Sequence, residues 1–215
     1  MLVSGLNAME INLFHPEYLE ITCPDGKAAM GGSQKWYPER WEKAAGCGPT
    51  AASNLIWYIA RAHPDLRCLC DDGSGDYTRF LELMREVFSY IKPGIGGVNT
   101  STLFVDGVKR YASARNADPV PHVLEIPFKR KKRPKIGAVS DFIIGAMKLD
   151  SPVAFLCLSS GKLKTPENWH WVTITGYDTN SANASIIDYG SEHKVKIVEW
   201  LGSSLLGGCF VYFTA

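Results

Sequence analysis

Apolar positions recur at helical spacing through the first two thirds of the chain and give way to short β-rich runs in the last third. Residues 1–44 show little periodicity and read as an irregular or partly stranded lead-in. From Cys47 to about His63, Ala51, Ala52, Leu55, Ile56 and Ile59 repeat at helical spacing, and Pro49 suits a first-turn position. Asp76 is placed to cap a second helix running through Tyr90, with Phe80, Leu81, Met84, Val87 and Phe88 as its apolar stripe and Lys92, Pro93 and Gly94 at its end. A third helix spans about Thr100 to Arg115 with Leu103, Phe104, Val108 and Tyr111 facing inward, and the short strand PHVLEI follows.

Beyond the basic loop FKRKKRPK, a short helix around Asp141–Lys148 leads to the apolar run PVAFLCL, which reads as a buried strand. WHWVTITGYD, ASIIDYG, KVKIVEW and GCFVYFTA then read as short strands separated by Asn, Ser, Gly and charged residues. Helices first and antiparallel strands last predict an α+β fold with segregated layers. A single domain over residues 1–215 is expected, helical over about 45–150 and sheet-forming over about 151–215.

With 215 residues and 46% hydrophobic content, the chain can bury a sizeable core. The formal net charge of +1 offers no overall attraction to nucleic acid or an anionic membrane, so neither is expected as a partner. No apolar run approaches the length that spans a bilayer, and MLVSGLNAMEINLF lacks the basic-then-apolar pattern of a secretion signal. The expectation is a cytoplasmic protein with six free thiols.

One of those thiols stands in a special context. Cys47 lies between Gly46 and Gly48 at a helix start, where free N–H groups and the helix dipole stabilise negative charge and lower a thiol pKa. Nucleophilic cysteine chemistry also needs a histidine base, a group that orients it and donors for the oxyanion. His170, opening WVTITGY, and Asp188, closing ASIID, supply the first two. The Cys47 N–H and the Gln34 side-chain amide supply the donors. If the hairpin turns through Asp178–Asn180, residues 177 and 181 pair and His170 faces Asp188. A loop from Asp178 to Asn183 instead slips the register by three and leaves Asp188 roughly 10 Å along the strand, for a bulge to recover.

The order Gln34, Cys47, His170, Asp188, with the strings GCGPTAA, HWVTITGYD and IIDYG, resembles the papain-like cysteine peptidases and most of all their peptidase C39-like branch, over about residues 30–190. The resemblance implies a papain-like fold, its helical lobe carrying the nucleophile and its antiparallel sheet carrying His and Asp. It also implies roles: Cys47 as nucleophile, His170 as base, Asp188 as its orienting group and Gln34 in the oxyanion hole. A peptide or protein substrate follows, with no cofactor or metal. The papain and cathepsin string C-G-S-C-W is absent, and the Cys47-to-His170 separation of 123 residues falls below that group's spacing of about 130–150. Leader peptidases of the C39 branch are usually fused to a transporter, so a stand-alone hydrolase is implied. The same residues also suit acyl transfer to an amine, as in a transglutaminase-like enzyme, or a non-catalytic peptide-binding module.

The remaining motifs read as structural. Cys23, Cys157 and Cys209 are expected to be inert, and His15, His63, His122 and His193 to take surface or capping roles. Asp178 is a turn residue bonding its own backbone. Cys68 and Cys70 in RCLCDDGSGD form only half a metal motif, and the acidic stretch does not match a calcium loop. The basic run KRKKRPK suits a solvated loop, or an attraction for nucleic acid or an acidic substrate segment. Trp36, Tyr37, Trp41, Trp169 and Trp171 either line a substrate groove or pack an interface.

Overall fold

A computed structural model of the chain describes residues 10–70 and 76–215. The first nine residues of the lead-in and residues 71–75 of the acidic stretch lie outside the described residues. The lead-in forms the short strands β1 (Glu10–Asn12), β2 (Glu20–Thr22) and β3 (Ala28–Met30), followed by the six-residue helix α1 (Arg40–Ala45). Next comes α2 (Cys47–Ala62), buried without a break from Cys47 to Ala60. A helix apolar around most of its circumference has to be enclosed, which makes α2 the axis of the fold. It ends at His63 because Pro64 cannot continue it.

α3 (Tyr77–Ile91) and α4 (Ser101–Ser113) pack against α2. Both start at side-chain caps: Asp76 accepts a hydrogen bond from the Thr78 N–H, and Thr100 from the Leu103 N–H. The stripe of α3 differs slightly from the expected one, with Leu83 and Ile91 in the core and Leu81 and Phe88 only half-buried. On α4 Leu103 faces solvent while Phe104, Val108 and Tyr111 are buried. Helix α5 (Ile136–Lys148) starts five residues before the expected point, just after Pro134.

The remaining strands are β4 (Val120–Ile126), β5 (Val153–Cys157), β6 (His170–Asp178), β7 (Asn183–Asp188), β8 (Ser191–Lys196) and β9 (Gly208–Thr214). They form one antiparallel sheet in the order β4-β9-β5-β6-β7-β8. β1 joins β6 beyond the end of β5, so Glu10 pairs with Asp178 and Asn12 with Gly176. The helix-then-sheet division is therefore not strict, because β1 enters the sheet from the lead-in and β4 from the helical part of the chain. KVKIVEW also departs from expectation: β8 stops at Lys196 and α6 (Ile197–Ser203) follows. Ile197 and Trp200 are both buried three residues apart while Val198 is exposed, which is helical rather than strand spacing. The mixed helix and antiparallel-sheet architecture is α+β.

The β6–β7 hairpin starts in the second of the two registers considered from sequence, with Tyr177 opposite Ala184, although its loop is shorter than expected. Asp178 pairs with Asn183 across the loop Thr179–Ala182, and an irregularity between Ile174 and Gly176 then shifts the register by one, so that Thr173 pairs with Ile187. Without that bulge Asp188 would lie opposite Thr173, on the other side of the ribbon from His170. With it, extending the Thr173–Ile187 register by one sets Asp188 opposite Val172, and alternation puts His170 on the same side, a diagonal neighbour within side-chain reach.

Among the described residues no helix is long and apolar enough to cross a membrane. All six cysteines are thiols outside any disulfide.

Candidate active site

Three parts of the fold converge at the first turn of α2. The helix brings Cys47, the end of β6 brings His170, and the end of β7 brings Asp188; all three side chains are buried. Gln34, from the short turn after Gly31 and Gly32, lines the same small cavity as these three. All four residues singled out from sequence thus meet in one place.

His170 Nε2 lies 2.7 Å from Asp188 Oδ1. With Nε2 engaged, Nδ1 is the ring nitrogen left for sulfur, and the imidazole interacts with the Cys47 side chain. The Cys47 thiol also lies 3.9 Å from the carbonyl oxygen of Trp169, a residue in the left-handed region at φ 57°. The ring of Tyr189 stacks on His170 at 5.3 Å, and the Lys35 ammonium sits 4.4 Å from the Tyr189 ring centre. The imidazole is therefore held by a carboxylate at one edge and an aromatic ring on one face.

Burial alone disfavours the imidazolium. The Asp188 carboxylate and the Cys47 sulfur outweigh it and push the His170 pKa up from 6.5 to about 10. The sign has two consequences. The native state keeps a proton that the unfolded chain releases above about pH 6.5, so this contribution to stability is complete below that pH and lost as pH rises through about 10. Any reaction in which His170 donates a proton should likewise persist through neutrality and decline as pH passes about 10, which a pH profile of kcat/KM checks.

The other thiols differ. Burial raises Cys157 to about 12, raises Cys209 well above its ordinary value, and raises Cys23 with help from Asp25. These three stay protonated at neutral pH and are poor nucleophiles.

The glycines beside Cys47 are dictated by close approach. A Cβ on Gly46 would lie 2.4 Å from the Glu42 carbonyl oxygen, and one on Gly48 would lie 2.8 Å from Val98 Cβ. Gly48→Ala is accordingly expected to destabilise the protein by about 1–3 kcal/mol through overpacking against a β-branched side chain, read as a lower urea midpoint.

The Gln34 amide differs from the simplest expectation, because its Nε2 donates to the Lys43 carbonyl at 2.8 Å. An amide nitrogen carries two hydrogens, so one donor is committed to fixing the side chain against α1 and one remains. The Cys47 backbone N–H lies in the first turn of α2, where amides have no acceptor within their own helix.

Sequence reasoning missed Asn54, which ties the site together. Its Oδ1 accepts from the Gly32 N–H at 2.8 Å and its Nδ2 donates to Thr173 Oγ1 at 3.0 Å, so one buried amide fastens the Gln34 segment, α2 and β6. Asn54 follows Cys47 by seven residues, two helical turns, and faces the same cavity. An amide side chain two turns after Cys47 in a mostly apolar helix was the available signal. Tyr189 and Lys35 were missed as well.

The five aromatic residues divide. Trp36 packs on Tyr77 and Phe80, Tyr37 is fully buried, and Trp171 stacks on Phe104 at 4.3 Å, whereas Trp41 and Trp169 are about half exposed and available to a ligand. Asp178 accepts hydrogen bonds from the Asn180 N–H and Ser181 Oγ, as a turn residue should. His63 bonds the Asp150 carbonyl oxygen, His122 bonds Thr214 Oγ1 and His15 pairs with Glu17, so these histidines serve local structure. No family model matches the chain, and comparison with curated proteins finds no match.

Proposed function

We propose that this protein is a cysteine peptidase of papain-like architecture, on the plan of the C39-like branch, hydrolysing an amide bond through Cys47, His170 and Asp188 with Gln34 in the oxyanion hole. The observation that carries the reading is the position of His170, hydrogen-bonded to a buried Asp188 through Nε2 and interacting with the helix-start thiol of Cys47. A structural histidine needs neither a carboxylate that favours its charged form nor a sulfur partner.

In the cycle the Cys47 proton resides on His170, and the thiolate attacks the substrate carbonyl carbon to form a C–S bond. The oxyanion is held by the Cys47 N–H and the Gln34 hydrogen not committed to Lys43. Collapse breaks the C–N bond as the His170 imidazolium protonates the leaving amine, leaving a thioester. His170, now neutral, takes a proton from water as the water oxygen attacks the thioester. The C–S bond breaks, and the acid product leaves with Cys47 and His170 restored. Asp188 stays ionised and holds the ring.

Incubation with a peptide library, followed by mass-spectrometric detection of new amino termini, tests the proposal. Cleavage is expected with the native protein. Its absence across the library, or equal cleavage by a Cys47→Ala protein, overturns the reading.

A further inference from the structure

The cavity shared by Cys47, His170 and Asp188 is small, about 240 Å³, and cannot enclose several residues of a peptide. A much larger groove of about 1220 Å³ is related to it through the chain that leads into His170. One wall is the segment joining β5 to β6. Its Asn168 is two residues from His170, and its Ser160 is three residues past Cys157, the strand partner of His170. The chain itself thus keeps Asn168 within about 7 Å of His170. Asn168 Oδ1 accepts from both the N–H and the hydroxyl of Ser160, which closes the segment on itself and shapes the wall.

The facing wall is the end of α6 together with the basic run. Arg133 is not free: its guanidinium donates to the carbonyl oxygens of Pro127, Leu201 and Ser204, anchoring the run to the end of α6. That anchor leaves Lys129, Arg130, Lys131 and Lys132 exposed. Arg130 and Lys162 both line the groove; the Ser203 carbonyl accepts from the Arg130 guanidinium, and the Ser203 hydroxyl accepts from the Lys162 backbone N–H. Glu199 is the acid in the lining, outnumbered by the two cations. Val198 and Leu205 add exposed apolar surface.

Resting on the peptidase reading, we propose that this groove is a substrate subsite for an acidic peptide segment, seating an Asp or Glu two to four residues from the scissile amide and an apolar side chain on Val198 and Leu205. The lower bound of that spacing is the ~7 Å between Asn168 and His170 divided by the roughly 3.3 Å rise of an extended chain, about two residues. Concavity favours a peptide over a lipid surface, and the lining carries no aromatic ring on which a nucleic-acid base would stack. The local charge also explains how a chain of net charge +1 can select an anionic segment.

Fluorescence polarisation with the native protein tests the subsite without requiring turnover. The probes are a labelled Glu-Leu-rich peptide and its counterparts with Gln or Lys in place of Glu. The acidic peptide is expected to bind at least tenfold more tightly than the Gln peptide, and the advantage should shrink with added salt. Lys162→Glu, an exposed change, should remove most of that advantage, and Arg130→Glu/Lys162→Glu should remove all of it, with iodoacetamide labelling of Cys47 unaltered. Equal binding of the three peptides overturns the subsite, as does a preference indifferent to both variants. So does binding of phosphatidylserine vesicles or polyuridylate without binding of the acidic peptide. Binding with acidic preference but no cleavage of any peptide removes the peptidase reading and leaves the groove; cleavage without acidic preference does the reverse.

Discussion

Replacing Cys47 with alanine is expected to lower amide hydrolysis by about four orders of magnitude or more, to the level of a blank, while the protein stays folded. The chemical step needs a nucleophile that can carry negative charge, and in the proposed cycle His170, which interacts with Cys47, is the base that takes its proton. Alanine is the best helix former and fits the first turn of α2 without new contacts, so the thermal midpoint should change little. Cys47→Ser is expected to be nearly as inactive. Its hydroxyl keeps the size but does not surrender a proton to His170 to form a stable ion pair. Substantial turnover by either variant would place the chemistry elsewhere.

Replacing Asp188 with alanine is the second large expected effect, a fall in kcat of about 10²- to 10⁴-fold. Asp188 touches the ring at the nitrogen away from sulfur, so it acts through His170 by fixing the tautomer and favouring the imidazolium. The pH profile separates this role from simple packing. Without the carboxylate the alkaline limb should move down from about 10 toward the ordinary histidine value, because burial is then opposed only by the Cys47 sulfur. Asp188→Asn, which can still accept the ring hydrogen bond, should lose less activity while showing the same direction of shift. An unchanged alkaline limb in Asp188→Ala would mean that the carboxylate does not act on the base.

Much of this site was legible because its determinants are local. A cysteine flanked by glycines before an apolar helical run marks α2, and the capping residues Asp76 and Thr100 stand directly before their helices. What was not legible depends on long-range registration. The bulge in β6 between Ile174 and Gly176 turns Asp188 toward His170, yet nothing in WVTITGYD announces an extra residue there. α6 was hidden because KVKIVEW has strand composition, and only the joint burial of Ile197 and Trp200 reveals the helical face. The Gln34 amide was legible as a donor but not its attachment to Lys43, which needs the position of α1. Asn54 is intermediate: its spacing from Cys47 was readable, while its partners Gly32 and Thr173 lie 22 and 119 residues away in the chain.

The central claim is that Cys47 and His170 form a reactive thiolate–imidazolium pair, and the labelling order of the six thiols by iodoacetamide at neutral pH, read by mass spectrometry, tests it most directly. Access alone would favour the exposed Cys68 and the half-buried Cys23 and Cys70 over the buried Cys47. The opposite order is expected: Cys47 labels first, and His170→Ala slows that reaction without changing the others. Labelling of Cys47 behind Cys68, at a rate indifferent to His170→Ala, would contradict it.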